Sequence, residues 1–133
     1  HPVDRRQRQM CIRDSHKGIV STVGNPHFMV EVNNVENFEL EDLYQLVNNN
    51  ENFASGVNLE IYEIINKEYV KARVYERGVG ETDACGSGAL CMFNYLSKTN
   101  RIGTNGYILY PGGELNLRFE NEDLYLSGEV IYL

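Results

Sequence analysis

A chain of 133 residues, 42% of them hydrophobic and 23% charged, is long enough for one domain with a buried core and does not have the composition of a disordered protein. Its net charge of −7 argues against a nucleic-acid partner, and no apolar run approaches the roughly 18 residues that span a membrane. Three cysteines without metal-ligand spacing argue against zinc and against a disulfide framework, and they favour a reducing, cytoplasmic setting.

The first fifteen residues differ in composition from the rest of the chain. The segment HPVDRRQRQMCIRDS is basic and Gln-rich, shows no apolar period and contains Cys11. We interpret residues 1–15 as an artefactual or foreign leader and residues 16–133 as the domain itself. A genuine basic arm that becomes ordered on a partner is the alternative interpretation.

Strands dominate the rest of the chain. Segments with the composition or the alternation of strands are Phe28–Val32, Val57–Ile65, Tyr69–Tyr75, Tyr107–Tyr110, Leu115–Phe119 and Leu124–Leu133. Most of the connections between them are short turns, which favour antiparallel pairing.

Two segments have helical period. The first has apolar residues at i, i+3, i+4 and i+7, namely Leu40, Leu43, Tyr44 and Val47. The second has the same spacing at Ala89, Met92, Phe93 and Leu96, and it carries so few charges that a central position is expected. The predicted fold class is α+β: a curled, mainly antiparallel sheet of six or seven strands wrapped around the helix that starts at Cys85.

The stretch Glu76–Gly88 combines carboxylates, a guanidinium, four glycines and a thiol. It lies between a predicted strand and a predicted helix, an arrangement that presents backbone N–H groups to an anion. A thiol at a helix N-terminus is expected to have a lowered pKa, because the positive end of the helix dipole stabilises the thiolate. The stretch therefore indicates chemistry on a small carboxylate or phosphate ligand. A tight turn with a buried, inert Cys85 explains the same spacing.

Several motifs together resemble the diaminopimelate epimerase family. They are Gly24-Asn25-Pro26-His27, Asn58 in a strand, Glu76-Arg77-Gly78-Val79-Gly80-Glu81-Thr82, Ala84-Cys85-Gly86-Ser87-Gly88-Ala89, Pro111-Gly112-Gly113-Glu114-Leu115 and Ser127-Gly128-Glu129. The resemblance runs from about Gly18 to the end of the chain, and it implies a diaminopimelate epimerase-like fold. In that fold two similar domains face a cleft, with one catalytic cysteine in each.

The resemblance implies interconversion of LL- and meso-diaminopimelate, a cytoplasmic step of lysine and peptidoglycan-precursor biosynthesis, without cofactor or metal. One cysteine, as thiolate, removes the α-proton, and the other, as thiol, delivers a proton from the opposite face. Because the chain matches only the second domain, we expect a C-terminal half without its N-terminal domain and first strands, inactive alone. A homodimer is a further arrangement left open.

The resemblance also assigns roles to individual residues. Cys85 is one of the two bases, His27 supports proton abstraction, and Glu76 contacts the substrate amine and helps the thiol to lose its proton. Asn25 and Asn58 bind polar ends of the substrate, and Arg77 pairs with its distal carboxylate. The amides of Gly86 and Ser87 hold the carboxylate at the reacting carbon, where negative charge develops.

Each of these assignments has a plainer interpretation. His27 is then a turn residue, Glu76 and Arg77 form a surface ion pair, and Asn58 is exposed to solvent. Other candidates are assigned to structure: Glu81 and Asp83 to the turn, and Cys91 to the core. Other functions also remain compatible with the sequence: a non-catalytic module that binds small dicarboxylic amino acids, another racemase or isomerase of the same fold, or a thiol enzyme in which Cys85 is a nucleophile.

Overall fold

The computed structural model describes residues 7–12, 16–21 and 26–128. These residues form two α-helices, α1 (Leu40–Asn48) and α2 (Gly86–Lys98), and a 3₁₀ turn at Glu51–Phe53. They also form nine strands: β1 (Gln7–Ile12), β2 (His16–Ser21), β3 (His27–Glu31), β4 (Asn58–Ile64), β5 (Tyr69–Glu76), β6 (Gly80–Thr82), β7 (Asn105–Tyr110), β8 (Gly113–Glu120) and β9 (Asp123–Gly128).

The strands form one sheet in the order β1-β2-β3-β4-β5-β7-β8-β9, and β6 folds back onto β5. Every pairing is antiparallel except β3 with β4 and β5 with β7. Parallel neighbours need a crossover connection. The first crossover contains α1, and the second contains α2. The prediction of a mainly antiparallel α+β fold is confirmed. The two parallel pairs are those whose strands are connected through a segment that contains a helix.

The sheet separates two apolar clusters. Successive side chains of a strand point to opposite faces, and accordingly Phe28 and Val30 join one cluster while Met29 joins the other. The first, the α1-side cluster, contains the buried face of α1, and the second, the α2-side cluster, surrounds α2. The structure therefore places one helix on each face of the sheet.

The helix α1 has the predicted amphipathic pattern, with Leu40, Leu43, Tyr44 and Val47 all buried. The helix α2 is the more deeply buried of the two: Ala89, Met92, Phe93 and Leu96 are at most 1% exposed. Its central position is thus confirmed. Cys85 is the N-cap of α2, and its Sγ accepts a hydrogen bond from the backbone N–H of Gly88 at 3.4 Å.

At Gly88 the helix α2 approaches β4 very closely. A Cβ at this position would lie 2.0 Å from Oε1 of Glu60, whose side chain is fully buried. Only a glycine leaves room for the carboxylate between the helix and the sheet. The last glycine of the Cys-Gly-Ser-Gly sequence is therefore explained by packing against Glu60.

Three strands, β1, β2 and β6, were not predicted from the sequence. The strand β1 pairs with β2 along its whole length, and Ile12 is 1% exposed within the α1-side cluster. Residues 7–12 thus take part in the sheet, while the foreign origin of residues 1–15 stays a prediction. The strand β6 lies inside the glycine-rich stretch, for which the sequence predicts a turn. Residues beyond 128 in the last predicted strand lie outside the described residues.

The contribution of β1 to stability can be measured directly. Because Ile12 is buried, Ile12→Ala should lower the free energy of unfolding by about 2–5 kcal/mol. Arg8→Ala, at an exposed position of the same strand, is the matched control and should have little effect. Equal urea midpoints for the two variants would show that β1 contributes nothing to the fold.

The close approach at Gly88 gives a second stability prediction. Gly88→Ala should destabilise the chain by about 1–3 kcal/mol, because the added methyl must displace a buried carboxylate. Gly86→Ala is the control, since its Cβ would meet only the Cδ2 of Leu126, at 3.4 Å. Thermal unfolding of both variants measures the difference, and a Gly88→Ala variant as stable as Gly86→Ala would contradict the packing account.

Candidate active site

The glycine-rich stretch begins as a tight hairpin between β5 and β6. Glu76 pairs with Gly80 across it, and Gly78 and Gly80 have φ of 76° and 115°, in the left-handed region that favours glycine. The hydroxyl of Thr82 donates a hydrogen bond to Oε2 of Glu76. The hairpin therefore holds the Glu76 carboxylate in place at the end of β5.

The β7–β8 turn and strand β7 then fix the start of α2. The backbone N–H of Gly112 donates to the carbonyl of Asp83 at 3.0 Å, and the hydroxyl of Tyr110 donates to the carbonyl of Cys85 at 3.3 Å. Both groups lie on the backbone just before the helix. Cys85 itself is 7% exposed.

Four polar side chains form a row from the N-terminus of α2 to the sheet. Sγ of Cys85 lies 3.4 Å from Oγ of Ser87, and that oxygen lies 3.5 Å from Nε2 of His27. Nδ1 of His27 in turn lies 3.0 Å from Oε1 of Glu60. His27 is 1% exposed. A thiol, a hydroxyl, an imidazole and a carboxylate are thus brought together at the start of α2, with Ser87 exposed and the other three side chains buried.

Burial is the main influence on the pKa of the Cys85 thiol. Desolvation raises the pKa of Cys85, the negative charges of Glu60 and Glu76 add to the rise, and the hydrogen bonds from Ser87 and Gly88 oppose it only in part. The expectation of a lowered pKa from the helix dipole is therefore wrong, because the cost of a buried thiolate exceeds the stabilisation at the helix N-terminus. At neutral pH the thiol holds its proton until a base removes it.

His27 and Glu60 form a buried, coupled pair. Burial alone would lower the pKa of His27, but its hydrogen bond to Glu60 and the charges of Glu60 and Glu76 raise it overall. Burial raises the pKa of Glu60, and His27 opposes this rise. Because the pKa values of His27 and Glu60 are both raised, the pair favours a proton held between the imidazole and the carboxylate. Among the described residues, Oε2 of Glu60 has no hydrogen-bond partner.

Asn58 and Arg77 join the ends of β4 and β5. Oδ1 of Asn58 accepts a hydrogen bond from the backbone N–H of Arg77 at 2.7 Å, and Asn58 is 8% exposed. The Arg77 side chain is exposed, and its Nη1 donates to the carbonyl of Ser55 at 2.6 Å. Asn58 is thus buried and holds the loop, which excludes the interpretation of a solvent-exposed side chain. Asn25 lies outside the described residues.

The structure brings most of the predicted site residues together and adds one. His27, Cys85 and Ser87 are in contact, and Glu76 is close enough for its charge to act on His27 and Cys85. Sequence reasoning missed Glu60. Its signal was a carboxylate in the middle of the otherwise apolar start of β4, on the face opposite Leu59 and Ile61.

The other candidates have structural roles. Glu81 forms a two-point ion pair with Arg73, at 2.7 and 2.8 Å, so its role is structural as predicted, although it lies in strand β6 and not in a turn. Cys91 is 9% exposed and belongs to the α2-side cluster, as predicted; the hydroxyl of Ser21 donates to its Sγ at 3.4 Å.

Three wider features complete the description. In the described ranges no three His, Cys, Asp or Glu side chains are placed to hold a metal ion, and neither helix is long and apolar enough to cross a membrane. An open groove of about 640 Å³ lies away from the site. Its lining includes Lys17, Glu31 and Phe38 but none of the candidate residues.

The pH dependence of alkylation tests the account of the thiol. Because burial raises its pKa, the alkylation rate of Cys85 should have a midpoint above about 8.5, the ordinary value for cysteine. Iodoacetamide labelling followed by peptide mass spectrometry reports each cysteine separately, with the exposed Cys11 as internal control. A Cys85 midpoint near pH 7 or below would restore the helix-dipole expectation.

The sequence model of the family "Diaminopimelate epimerase" matches residues 19–133. A diaminopimelate epimerase of Brachyspira hyodysenteriae is 40% identical over 114 residues, which cover 84% of this chain and 40% of the relative. One of Xanthomonas euvesicatoria is 37% identical over 118 residues, covering 87% and 41%. The chain thus spans about two-fifths of the length of these curated relatives.

Two solved structures share the fold. The phenazine biosynthesis protein of the PhzF family from Bacillus anthracis has a TM-score of 0.56 and 17% identity, over 79% of this chain and 34% of that protein. Its counterpart from Enterococcus faecalis has a TM-score of 0.56 and 18% identity, over 77% and 37%. At such low identity this likeness concerns the fold alone. From the match over residues 19–133 and the two curated relatives, the chain belongs to the diaminopimelate epimerase family.

Proposed function

We propose that this chain forms one half of an epimerase that inverts the α-carbon of diaminopimelate by two-base proton transfer, with Cys85 as one base. The observation that carries the proposal is the row of contacts that joins Cys85 to Ser87 and His27 at the start of α2. Support for the substrate comes from the name of the family. The reaction so proposed uses neither cofactor nor metal and belongs to lysine biosynthesis in the cytoplasm.

The N-terminus of α2 suits the reacting carboxylate. The first amides of a helix have no intrahelical acceptor. Gly86 and Ser87 are the first residues of α2, and their N–H groups would bind the carboxylate beside the reacting carbon. Negative charge grows on this carboxylate as the α-proton leaves, so the two amides stabilise the transition state more than the substrate.

The loop between β5 and β6 suits the far end of the substrate. Arg77 is exposed there, and its planar guanidinium matches a carboxylate at two points. Glu76 would accept hydrogen bonds from a substrate amine, and Asn25 would bind a polar end. Asn58 acts chiefly by holding the backbone of Arg77.

The second base is proposed to come from the part of the relatives that lies outside the matched region, on a domain facing this one. Val79 is 74% exposed, and Leu126, which lies beside Gly86, is 38% exposed. Both are apolar side chains that a facing domain would cover. A homodimer that brings two Cys85 residues together is the alternative arrangement.

A module that binds dicarboxylic amino acids without catalysis is the second candidate. It is favoured by the burial of Cys85, which keeps the thiol protonated in the absence of a base. The two candidates differ in one observable, the exchange of the α-proton, which binding alone does not produce.

A fusion protein tests the proposal. The part of the Brachyspira relative outside the matched 114 residues, fused to this chain, should epimerise LL-diaminopimelate. Cys85→Ala should lower its rate by at least about 10²-fold, because a catalytic base is lost. Cys11→Ser removes an exposed cysteine outside the site and should leave the rate unchanged. A Cys85→Ala fusion that is as active as the parent would refute the role of Cys85.

The role of Arg77 is tested in the same fusion. Arg77→Ala should raise KM about 10-fold or more, because the distal carboxylate loses a charge-assisted, two-point contact. Arg118→Ala removes an arginine whose partner is the exposed Glu120, and it should leave KM as it is. Steady-state kinetics give the KM of each variant. Equal KM values for the two variants would show that Arg77 only stabilises the loop and does not bind the substrate.

A further inference from the structure

We propose that Glu60 is a positioning residue: it holds His27 so that Nε2 faces the Ser87 hydroxyl, through which the proton of Cys85 reaches the imidazole. The inference rests on the proposed function of Cys85 as a base, and it adds a residue and a route for the proton.

The burial of Glu60 is the first argument. Its side chain is 0% exposed, and His27 is the hydrogen-bond partner of Oε1, while Oε2 has no partner among the described residues. A carboxylate in an apolar interior carries a large desolvation cost. An apolar side chain would serve the packing of β4 better, so the carboxylate indicates a task that packing does not explain.

The geometry of the ring is the second argument. A neutral imidazole carries one proton, and a hydrogen bond at one nitrogen decides which nitrogen has it. Nδ1 lies 3.0 Å from Oε1 of Glu60, so the proton of neutral His27 stays on Nδ1 and is donated to the carboxylate. Nε2 is thereby left as an acceptor, 3.5 Å from the hydroxyl of Ser87.

The proton transfer balances within the chain. The S–H bond of Cys85 breaks as its proton moves to Oγ of Ser87, and the original hydroxyl proton moves to Nε2 of His27. A thiolate and an imidazolium result, and the Ser87 hydroxyl is restored. The imidazolium remains paired with the carboxylate of Glu60, which stabilises the new positive charge. Transfer requires both contacts in the route, at 3.4 and 3.5 Å in this structure, to shorten.

Glu60 also acts against the thiolate through space, since its charge raises the pKa of Cys85. Its favourable contribution therefore passes through His27. Around His27 lie its register partners Ser21 on β2 and Asn58 on β4, the carboxylates of Glu60 on β4 and Glu76 on β5, and Ser87, which links it to Cys85 at the start of α2. Glu60 is the member of this set that makes a direct hydrogen bond to Nδ1.

Nitrogen NMR of histidine in this chain, without substrate, tests the proposal. In the wild-type chain the titration midpoint of His27 should lie above about 6.5, and its neutral form should carry the proton on Nδ1. In Glu60→Gln the midpoint should fall by about one pH unit or more, because burial then acts without the opposing charge. Glu63→Gln is the matched control on the same strand, and its carboxylate binds the backbone N–H of Val35 instead.

The outcomes are distinct. A wild-type His27 with its neutral proton on Nε2 overturns the proposal without any variant, so a Glu60→Gln chain that fails to fold does not leave it undecided. An unchanged His27 midpoint in a folded Glu60→Gln chain also overturns it. In the fusion, kcat of Glu60→Gln should fall about 10-fold or more with KM unchanged. A fusion without activity, beside the expected NMR result, would refute the proposed function and leave the position of His27 established.

Discussion

The burial of one carboxylate between α2 and the sheet is the constraint on which the site depends. Glu60 lies where a side chain at residue 88 would otherwise lie, so the helix carries a glycine there. The same carboxylate binds His27 from the neighbouring strand β3. The burial of Glu60 therefore determines how closely the helix approaches the sheet, why residue 88 is a glycine and how the imidazole is oriented.

The electrostatics of the site follow from this burial. A helix N-terminus stabilises a thiolate by a modest amount, on the order of 1 kcal/mol. Removing a charge from water costs more, so the pKa of Cys85 is raised and the resting thiol is protonated. A protonated thiol can still act as a base if a neighbour accepts its proton. The row of Ser87, His27 and Glu60 supplies such a neighbour, and this makes the site suitable for proton transfer.

Much of the architecture could be predicted from the sequence, because period and composition report which face of an element is buried. The helix α1 and the start of α2 at Cys85 followed from spacing. The strand β1 did not, since a paired strand with a basic, Gln-rich sequence has no alternating pattern. The strand β6 could not be predicted either, because it lies in a glycine-rich stretch whose sequence fits a turn equally well.

Within the site, motifs predicted residues whose chemistry is visible in the sequence, such as Cys85 and His27. They could not predict that His27 and Glu60, 33 positions apart, would meet, because the parallel pairing of β3 and β4 that joins them is a tertiary feature. The wrong expectation for the thiol has the same origin. A dipole can be inferred from a helix start, whereas desolvation depends on everything that packs around it.

The origin of the α-hydrogen in the product tests the central claim most directly, namely that Cys85 is one of two separate bases. The fused protein would be incubated with LL-diaminopimelate in D₂O, and both epimers would be analysed early in the reaction. The account predicts deuterium in the meso product and almost none in the recovered LL substrate, because one thiol removes the proton and the other delivers one from solvent. Product that keeps the substrate's own hydrogen, or substrate that exchanges as fast as product forms, would indicate a single base and contradict the account.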